Sequence, residues 1–591
     1  MRSGAEMIVE ALRREKVDTV FGYPGGAVIP IFDALYDARD IRVILVRHEQ
    51  AAVHAADGYA RATGRVGVCI ATSGPGATNT VTGLATARFD SVPLVCVTGQ
   101  VSRALIGNDA FQEADTIGIT QPVTKHNYLV MKRSALGAML KQSFHIAVSG
   151  RPGPVVIDVP KDIQLEALDD QYPDKVAIRG YKPASRAPRE QVEALAAAIS
   201  EARRPLFFVG GGMVISGSAS VFAKILEATG IPFVTSLMGI GLVASSHPLN
   251  LGMIGMHGSI EANKALTACD LLVGLGTRFD DRATGNTARF APRAKIAHVD
   301  IDPTSIGRNL RVDFPVEGDL RLVLGDLAPS LAAGDGRPDW IGEVEGYRRL
   351  ARDFEARFAD ADSAERPPSP REVLSAVNEL LPGALIATEV GQNQMWAAQY
   401  LAFDRPRRWL TSGGLGTMGY GFPAGMGAQV AFPADTVVVI AGDGSFQMNI
   451  QELATCVQEN IPLIVVVMNN GYLGMVRQWQ ELFFERRYSS VCLQSRRGSD
   501  GKCDRGCGKD SAALDGCCPP YSPDFVAIAR AYGALGYGAS TLGEFRDALL
   551  AAKNARRPAV IDCRIGREEN VWPIVAPGKG NDEMTYKGVL V

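Results

Sequence analysis

The stretch GDGSFQMNIQELATCVQENIPLIVVVMNN, Gly442 to Asn470, opens with an acid between two glycines and closes, after an apolar run, on two asparagines. The Asp443 carboxylate, the Asn470 amide carbonyl and the backbone carbonyl of Tyr472 are three hard oxygens. Mg²⁺ takes such a set while phosphate and water oxygens complete its octahedron. Gly442 and Gly444 permit close backbone approach, and Ser445 with the start of the next helix offers N–H donors to a phosphate. Each dipeptide alone is an ordinary turn; two of them, each ending an apolar run, favour a metal and diphosphate site. A second candidate is Glu49 in RVILVRHEQAAVHAADGYARATG, where a strand hands over to a helix among apolar neighbours. A carboxylate held there can have a raised pKa and pass protons both ways. Taken alone, a first-turn Glu complementing the helix dipole is the simpler account.

Both candidates require strand ends to carry them. Short Val/Ile-rich runs recur with glycine turns and helical patterns between: IRVILVRH, GVCIATSGPG, VPLVCVTG, GPVVIDVP, PLFFVGGG, LLVGLGTRFDD, VVVIAGDG and LIVVVMNN. Continuous apolar strands alternating with helices predict α/β architecture with mainly parallel sheets buried on both faces. In such sheets the ligand crevice lies beyond the carboxyl ends of the strands, where these runs place their glycines, acids and amides. Polar, proline-rich segments near 180–190 and 360–371 read as linkers. They predict three doubly wound domains, at 1–170, 188–345 and 366–575, with a tail at 576–591.

At 591 residues the chain is several domains long on a prior of roughly 150 residues each. Lys+Arg 61 against Asp+Glu 64 leaves no basic excess for nucleic acid, so a small-molecule substrate is expected. The N-terminus enters an amphipathic helix without an apolar leader core, and no apolar stretch approaches the roughly 18 residues that span a bilayer. A cytoplasmic protein without a membrane segment is expected. Cys69, Cys96 and Cys456 sit singly in apolar contexts and read as reduced core thiols.

GDG and, one helix and one strand later, NN, together with a Glu in another domain, resemble the signature of thiamine-diphosphate-dependent enzymes. More narrowly the chain is similar to the acetolactate synthase (acetohydroxyacid synthase) family. VFGYPGGAVIPIFDAL, RHEQAAVHAADGYARATGRVGV, TSGPGATN, DAFQEAD, RPGPVVIDVPKD, GTRFDDR, GQNQMWAAQ, SGGLGTMGYGFPAG and GMVRQWQELFFERRYS carry the likeness. It runs from residue 1 to about 490 and from 522 to the end.

The resemblance implies decarboxylation of pyruvate and transfer of its hydroxyethyl unit to a second 2-ketoacid, giving 2-acetolactate or 2-aceto-2-hydroxybutyrate in branched-chain amino-acid synthesis. It implies thiamine diphosphate, Mg²⁺ and a flavin (FAD) retained without net redox chemistry. Glu49 would hydrogen-bond the aminopyrimidine, Met418 would bend the cofactor, and Gln112 would stand at the reacting centre. Asp443, Asn470 and the Tyr472 carbonyl would hold Mg²⁺, with Gln392, Asn393, Gly442, Gly444 and Ser445 about the diphosphate. Tyr23, Gly25, Gly391 and Gly416 would complete the cofactor seat. Relatives often carry His where this chain has Asn393, whose amide is expected to donate in its place. Gly26, Phe111, Lys161, Val476 and Trp479 would line the substrate pocket, and Arg278 would meet the second ketoacid's carboxylate. For Phe111 and Trp479, core packing is the plain alternative. The flavin positions would be Arg151, Gly210, Gly211, Gly212, Met256, His257, Gly276, Asp300 and Asp302. The resemblance also implies at least a homodimer, as a dimer or tetramer, since Glu49 and Asp443 of one site come from different subunits, and it allows a small regulatory subunit.

The pattern breaks after RRYSSV, where an insertion at 492–520 holds Cys492, Cys503, Cys507, Cys517 and Cys518 without histidine. An exposed loop is expected first, a redox-labile thiol cluster second and a metal site last. Pyruvate oxidase or a related decarboxylase is the neighbouring reading. Arg278 and Trp479 weigh against it, and intact Glu49, Asp443 and Asn470 weigh against a non-catalytic flavin-binding scaffold.

Overall fold

In the computed structural model, which describes residues 1–176, 178–183, 185–331, 337–358, 366–493 and 523–591, the apolar runs become three six-stranded sheets. Sheet 1 holds β1 (Thr19–Tyr23), β2 (Arg42–Leu45), β3 (Gly67–Ala71), β4 (Leu94–Gln100), β5 (His126–Leu129) and β6 (Pro154–Pro160) in the order 2-1-3-4-6-5. Sheet 2 holds β7 (Pro205–Val209), β8 (Phe233–Thr235), β9 (Asn250–Met253), β10 (Leu271–Leu275), β11 (Lys295–Asp300) and β12 (Phe314–Glu317) in the order 12-11-10-7-8-9. Sheet 3 holds β13 (Leu385–Thr388), β14 (Trp409–Leu410), β15 (Val437–Gly442), β16 (Ile464–Asn469), β17 (Leu535–Ala539) and β18 (Ala559–Arg564) in the order 14-13-15-16-18-17. Pairing is parallel from β2 through to β5, from β12 through to β9, and from β13 through to β17. Sheets 1 and 3 therefore share one strand order.

That order fixes where ligands can sit. Strand order reverses between β1 and β3 in sheet 1, between β7 and β10 in sheet 2, and between β13 and β15 in sheet 3. Connections leaving such a pair diverge to opposite faces and open a crevice. Tyr23 ends β1 and Gly25 follows it, Gly210 to Gly212 and Gly276 follow β7 and β10, and Gly391 to Asn393 and Asp443 follow β13 and β15.

The chain forms two compact units: Met1–Tyr181 with Ala384–Gln394 and Leu410–Glu568, and Lys182–Gly383 with Met395–Trp409 and Glu569–Val591. Unit 1 contains sheet 1 and nearly all of sheet 3, joined by one core that runs from Phe21 and Ala55 to Val439 and Phe446. Unit 2 is sheet 2 between two apolar layers, one around Phe207 and Phe222, the other around Phe208 and Trp340. Residues 569–575 belong with this unit alongside the tail. Within it Val575 N–H donates to the Met256 carbonyl, and Gln399 donates to the carbonyls of His257 and Trp572.

Helix Glu49–Thr63 is buried along most of its length, begins where the His48 ring accepts the Gln50 N–H, and ends at Gly64 with φ 76°. Its alanines and Gly58 let it meet helix Gly421–Ala431 backbone to backbone: a Cβ on Gly58 would lie 2.0 Å from the Ala424 oxygen, and one on Gly427 1.9 Å from the Ala55 oxygen. Nothing flexible can yield there. Gly427→Ala is expected to cost about 3 kcal/mol or more by overpacking, read as a lowered denaturation midpoint of the purified protein. A stability within experimental error of wild type would refute this close crossing.

Cys69, Cys96 and Cys456 are buried free thiols, as the sequence predicts, Cys269 and Cys563 are buried free thiols too, and Cys492 is half-buried. Cys503, Cys507, Cys517 and Cys518 lie outside the described residues. No helix among the described residues is long and apolar enough to cross a membrane.

Candidate active site

In the lobe of sheet 3, the end of β15 delivers Asp443, only 2% exposed, into the crevice beside β13. Its carboxylate accepts backbone N–H groups of Gly444 and Gly471, yet Oδ2 has no partner. Burial pushes the pKa up to about 7, against the N–H bonds. An orphaned buried carboxylate oxygen of this kind suits a divalent cation, which would restore the charged form. Asn470 lies one residue beyond β16, where its Oδ1 accepts the Tyr472 N–H and its amide reaches Gln392 Oε1 at 3.3 Å. Gln392 continues to Gln478 at 2.9 Å. Gly471 to Leu473 are held from outside: Tyr472 pairs antiparallel with Cys492, the Leu493 N–H donates to the Gly471 carbonyl, and the Leu473 N–H donates to the Val491 carbonyl.

Space for a phosphate is kept by glycine. A Cβ on Gly442 would come 3.3 Å from Asn393 Oδ1, and one on Gly444 2.8 Å from Leu473 and 3.8 Å from the Met418 methyl. Gly391, at φ 144°, faces the same Asn393 oxygen, while Gly416 has φ 70°. The expected use of Asn393 changes. Its NH₂ donates to the carbonyls of Glu389 and Ile440, both at 3.0 Å, so it is Oδ1 that faces Gly391 and Gly442. The amide braces β13 against β15 and offers the cradle an acceptor.

In the lobe of sheet 1 the organising segment is Thr72 to Asn79, which follows β3. Gly25 packs on Thr72, whose hydroxyl accepts the Ala27 N–H. Gly74, at φ 57°, lies against the backbone of Gln112, which itself holds φ 58°. Asn79 donates to Glu49 Oε2 at 2.9 Å, and Gly76 leaves room beside Oε1. Glu49, Gln112 and Gly25 are thus gathered about one loop. A Cβ on Gly26 would meet nothing within 4 Å, Lys161 opens helix Lys161–Leu165, and Phe111 is 88% exposed, with Tyr23 and Val476 also open. Trp479, partly buried, stacks edge-on against Phe483 and is no fully buried core residue.

In unit 2, the turns after β7 and β10 interlock. A Cβ on Gly210 would strike the Gly276 oxygen at 2.1 Å, and Gly212 N–H donates to that oxygen. Gly211 lies against Met238. Met256 N–H donates to the Arg282 carbonyl, and the buried His257, its pKa lowered by burial to about 4, sits 3.4 Å from the Pro573 carbonyl. Asp300 ends β11 and accepts the Asp302 N–H, and Asp302 in turn caps Thr304. Arg278 lies 3.5 Å from Asp280 with its side chain partly exposed. Arg151 belongs to unit 1 and donates to Ser91.

Two buried acids beyond the expected set hold site segments. Glu389, after β13, accepts N–H groups at the start of helix Gly421–Ala431. Glu452 accepts the Arg47 and His48 N–H groups and so grips the turn before Glu49. Burial pushes both up to about 7. Neither motif, EVG or QEL, advertises this, because the partners are backbone groups distant in sequence.

A buried acid with an orphaned oxygen among glycines at a switch point, and a second buried acid in a lobe of the same strand order, outline an α/β enzyme site. Comparison with known proteins agrees. The thiamine pyrophosphate enzyme domains match in order: the N-terminal TPP binding domain at residues 2–119, the central domain at 192–327 and the C-terminal TPP binding domain at 389–563. The acetolactate synthase large subunit of Corynebacterium glutamicum is 45% identical over 591 residues, covering 99% of this chain and 90% of that protein. The isozyme 3 large subunit of acetolactate synthase from Escherichia coli is 43% identical over 597 residues, covering 99% of this chain and 98% of its own. The acetolactate synthase of Mycobacterium bovis is 45% identical over 589 residues, 98% of this chain and 91% of its own. The chain belongs to the acetolactate synthase family of thiamine-pyrophosphate-dependent enzymes. It is a transferase that works with that cofactor.

Proposed function

We propose that the protein is an acetolactate synthase catalytic subunit: it decarboxylates pyruvate and joins the remaining two-carbon unit to pyruvate or 2-ketobutyrate, serving branched-chain amino-acid synthesis. The carrying observation is the buried Asp443 carboxylate with an unpartnered oxygen in a glycine cradle, in a chain with full-length likeness to acetolactate synthases. Thiamine diphosphate, when bound, supplies a nucleophilic carbon and a sink for the electrons left by carbon dioxide. Asp443, Asn470 and the Tyr472 carbonyl hold Mg²⁺, and Gly442, Gly444 and Ser445 receive the diphosphate. Glu49 holds and returns a proton at its carboxylate in a setting shielded from water. Met418 and Gln112 shape the floor and the reacting end of the seat. Arg278 offers a planar fork to the acceptor's carboxylate.

The interlocked glycine turns of unit 2, with Met256, His257, Asp300 and Asp302, are the seat of FAD in this reading. Gly276, at φ 60°, lies backbone to backbone against Gly210 and Gly212, which keeps these strand ends free of side chains where a dinucleotide would approach. Arg151 joins it on family likeness alone. Exposure of Phe111, Tyr23 and Val476 in the single chain supports completion of the site by a second copy, as a dimer or tetramer. The large-subunit names of the relatives support an accompanying small regulatory subunit.

The deciding experiment incubates the purified protein with pyruvate alone, with and without thiamine diphosphate and Mg²⁺, and quantifies acetolactate, acetaldehyde, acetyl phosphate and peroxide. Acetolactate that needs both additions is the expected product. Acetaldehyde or peroxide in its place would move the enzyme to a sister activity.

A further inference from the structure

The loop that carries Met418 is fastened on both sides of that residue. Before it, Thr417 N–H donates to the Ser412 hydroxyl at 3.0 Å, and the Thr417 hydroxyl meets that of Thr86 at 2.7 Å. After it, Gly419 N–H donates to Glu389 Oε2 at 2.7 Å, and the Gly419 carbonyl accepts from the Asn449 amide at 2.6 Å. Phe422 N–H donates to the other Glu389 oxygen at 2.9 Å, and the N–H groups of Tyr420 and Gly421 point at the same carboxylate. Glu389 is wholly buried. Its carboxyl is met by backbone N–H groups at a helix start, an arrangement that favours the anion against its burial.

The other end of this residue belongs to the cradle. Glu389 N–H donates to the Ile440 carbonyl of β15, and its own carbonyl accepts from Asn393. Gly421 leaves no space: a Cβ there would stand 2.4 Å from the Glu389 nitrogen. One residue thus ties the strand end that bears Gln392 and Asn393 to the loop that bears Met418.

We infer that Glu389 is a positioning residue whose carboxylate sets the height of the Met418 side chain above the diphosphate cradle and so makes the cofactor ready to react. The inference rests on the reading of Met418 as the side chain against which thiamine diphosphate bends. A merely structural acid would lower stability when replaced and leave a bound cofactor as reactive as before. A positioning acid does more, since a displacement of about 1 Å at a reacting group costs on the order of 10²-fold. In Glu389→Gln an NH₂ replaces one oxygen and confronts an N–H donor, so one tether is lost at nearly constant volume.

The test compares wild type, Glu389→Gln and Glu389→Asp in two readouts. The first is amide hydrogen exchange over residues 412–425 in the cofactor-free protein. The second is deuterium exchange at C2 of added thiamine diphosphate with Mg²⁺ in the absence of any ketoacid, alongside the cofactor's dissociation constant. Glu389→Gln is expected to quicken amide exchange in that segment and to slow C2 exchange on the order of 10²-fold, a larger change than in cofactor affinity. Glu389→Asp, which keeps the charge on a shorter arm, should fall between the two and serves if the Gln variant does not fold. Wild-type C2 exchange in either folded variant overturns the inference. A wild type that itself fails to accelerate C2 exchange overturns the underlying reading of Met418, a failure recognisable because it appears without any substitution.

Discussion

Glu49→Gln is expected to lower acetolactate formation by about 10²- to 10⁴-fold, the worth of a positioned acid-base group, while the thermal midpoint stays near that of wild type. Glu49 is 9% exposed, and its Oε2 is used by Asn79. Glutamine keeps the volume and an oxygen for that amide, so packing and the start of helix Glu49–Thr63 survive. What it cannot do is take up and return a proton. Product formation in a fixed-time assay, set against the melting curve, separates the two effects. Near-normal turnover in the folded variant would sink the assignment of Glu49 as proton carrier.

Asp443→Asn should move activity and stability in opposite directions. Loss of a carboxylate facing the cation is expected to weaken Mg²⁺-dependent cofactor binding by on the order of 10²-fold or more, since even outer-sphere partners of a metal are worth 10- to 100-fold. Stability of the cofactor-free protein should rise. The folded carboxyl is pushed up to about 7 by burial, above the ordinary value of about 3.9. A carboxyl raised on folding lends stability that is complete below the ordinary value and is lost as pH climbs through the folded one. Cofactor-free wild type therefore pays on the order of a few kcal/mol at pH 8 that the amide avoids. The gap in melting temperature between variant and wild type should widen from pH 4 to pH 8. Mg²⁺ with thiamine diphosphate should stabilise only the wild type. A pH-independent gap would show that Asp443 is not a strained acid.

Much of this was legible in the residues because parallel strands buried on both faces leave long apolar runs, and the polar groups at their ends mark the crevices. VVVIAGDG and LIVVVMNN become β15 and β16 with Asp443 and Asn470 at their carboxyl ends. The two-residue β14 left no such signal, since Trp409 and Leu410 are too few to show a period. Glu389 and Glu452 were hidden for a different reason: what distinguishes them is burial against backbone N–H groups, fixed by tertiary packing and by no local pattern. Asn393 shows the limit of reasoning by residue type. Its amide could donate to a phosphate, but two carbonyls at the joint of β13 and β15 claim the NH₂ first.

The backbone contact of helices Glu49–Thr63 and Gly421–Ala431 bears on motion. Packed helices slide when a layer of side chains can re-seat between them. At Gly58 and Gly427 that layer is missing, and main chain rests on main chain. The lobes of sheets 1 and 3 in unit 1 therefore behave as one rigid chassis, without a shear plane between them. Entry and departure of a cofactor must then be timed by loops, such as the one bearing Met418, and the speed of loading the enzyme becomes a property of its tethers rather than of its frame.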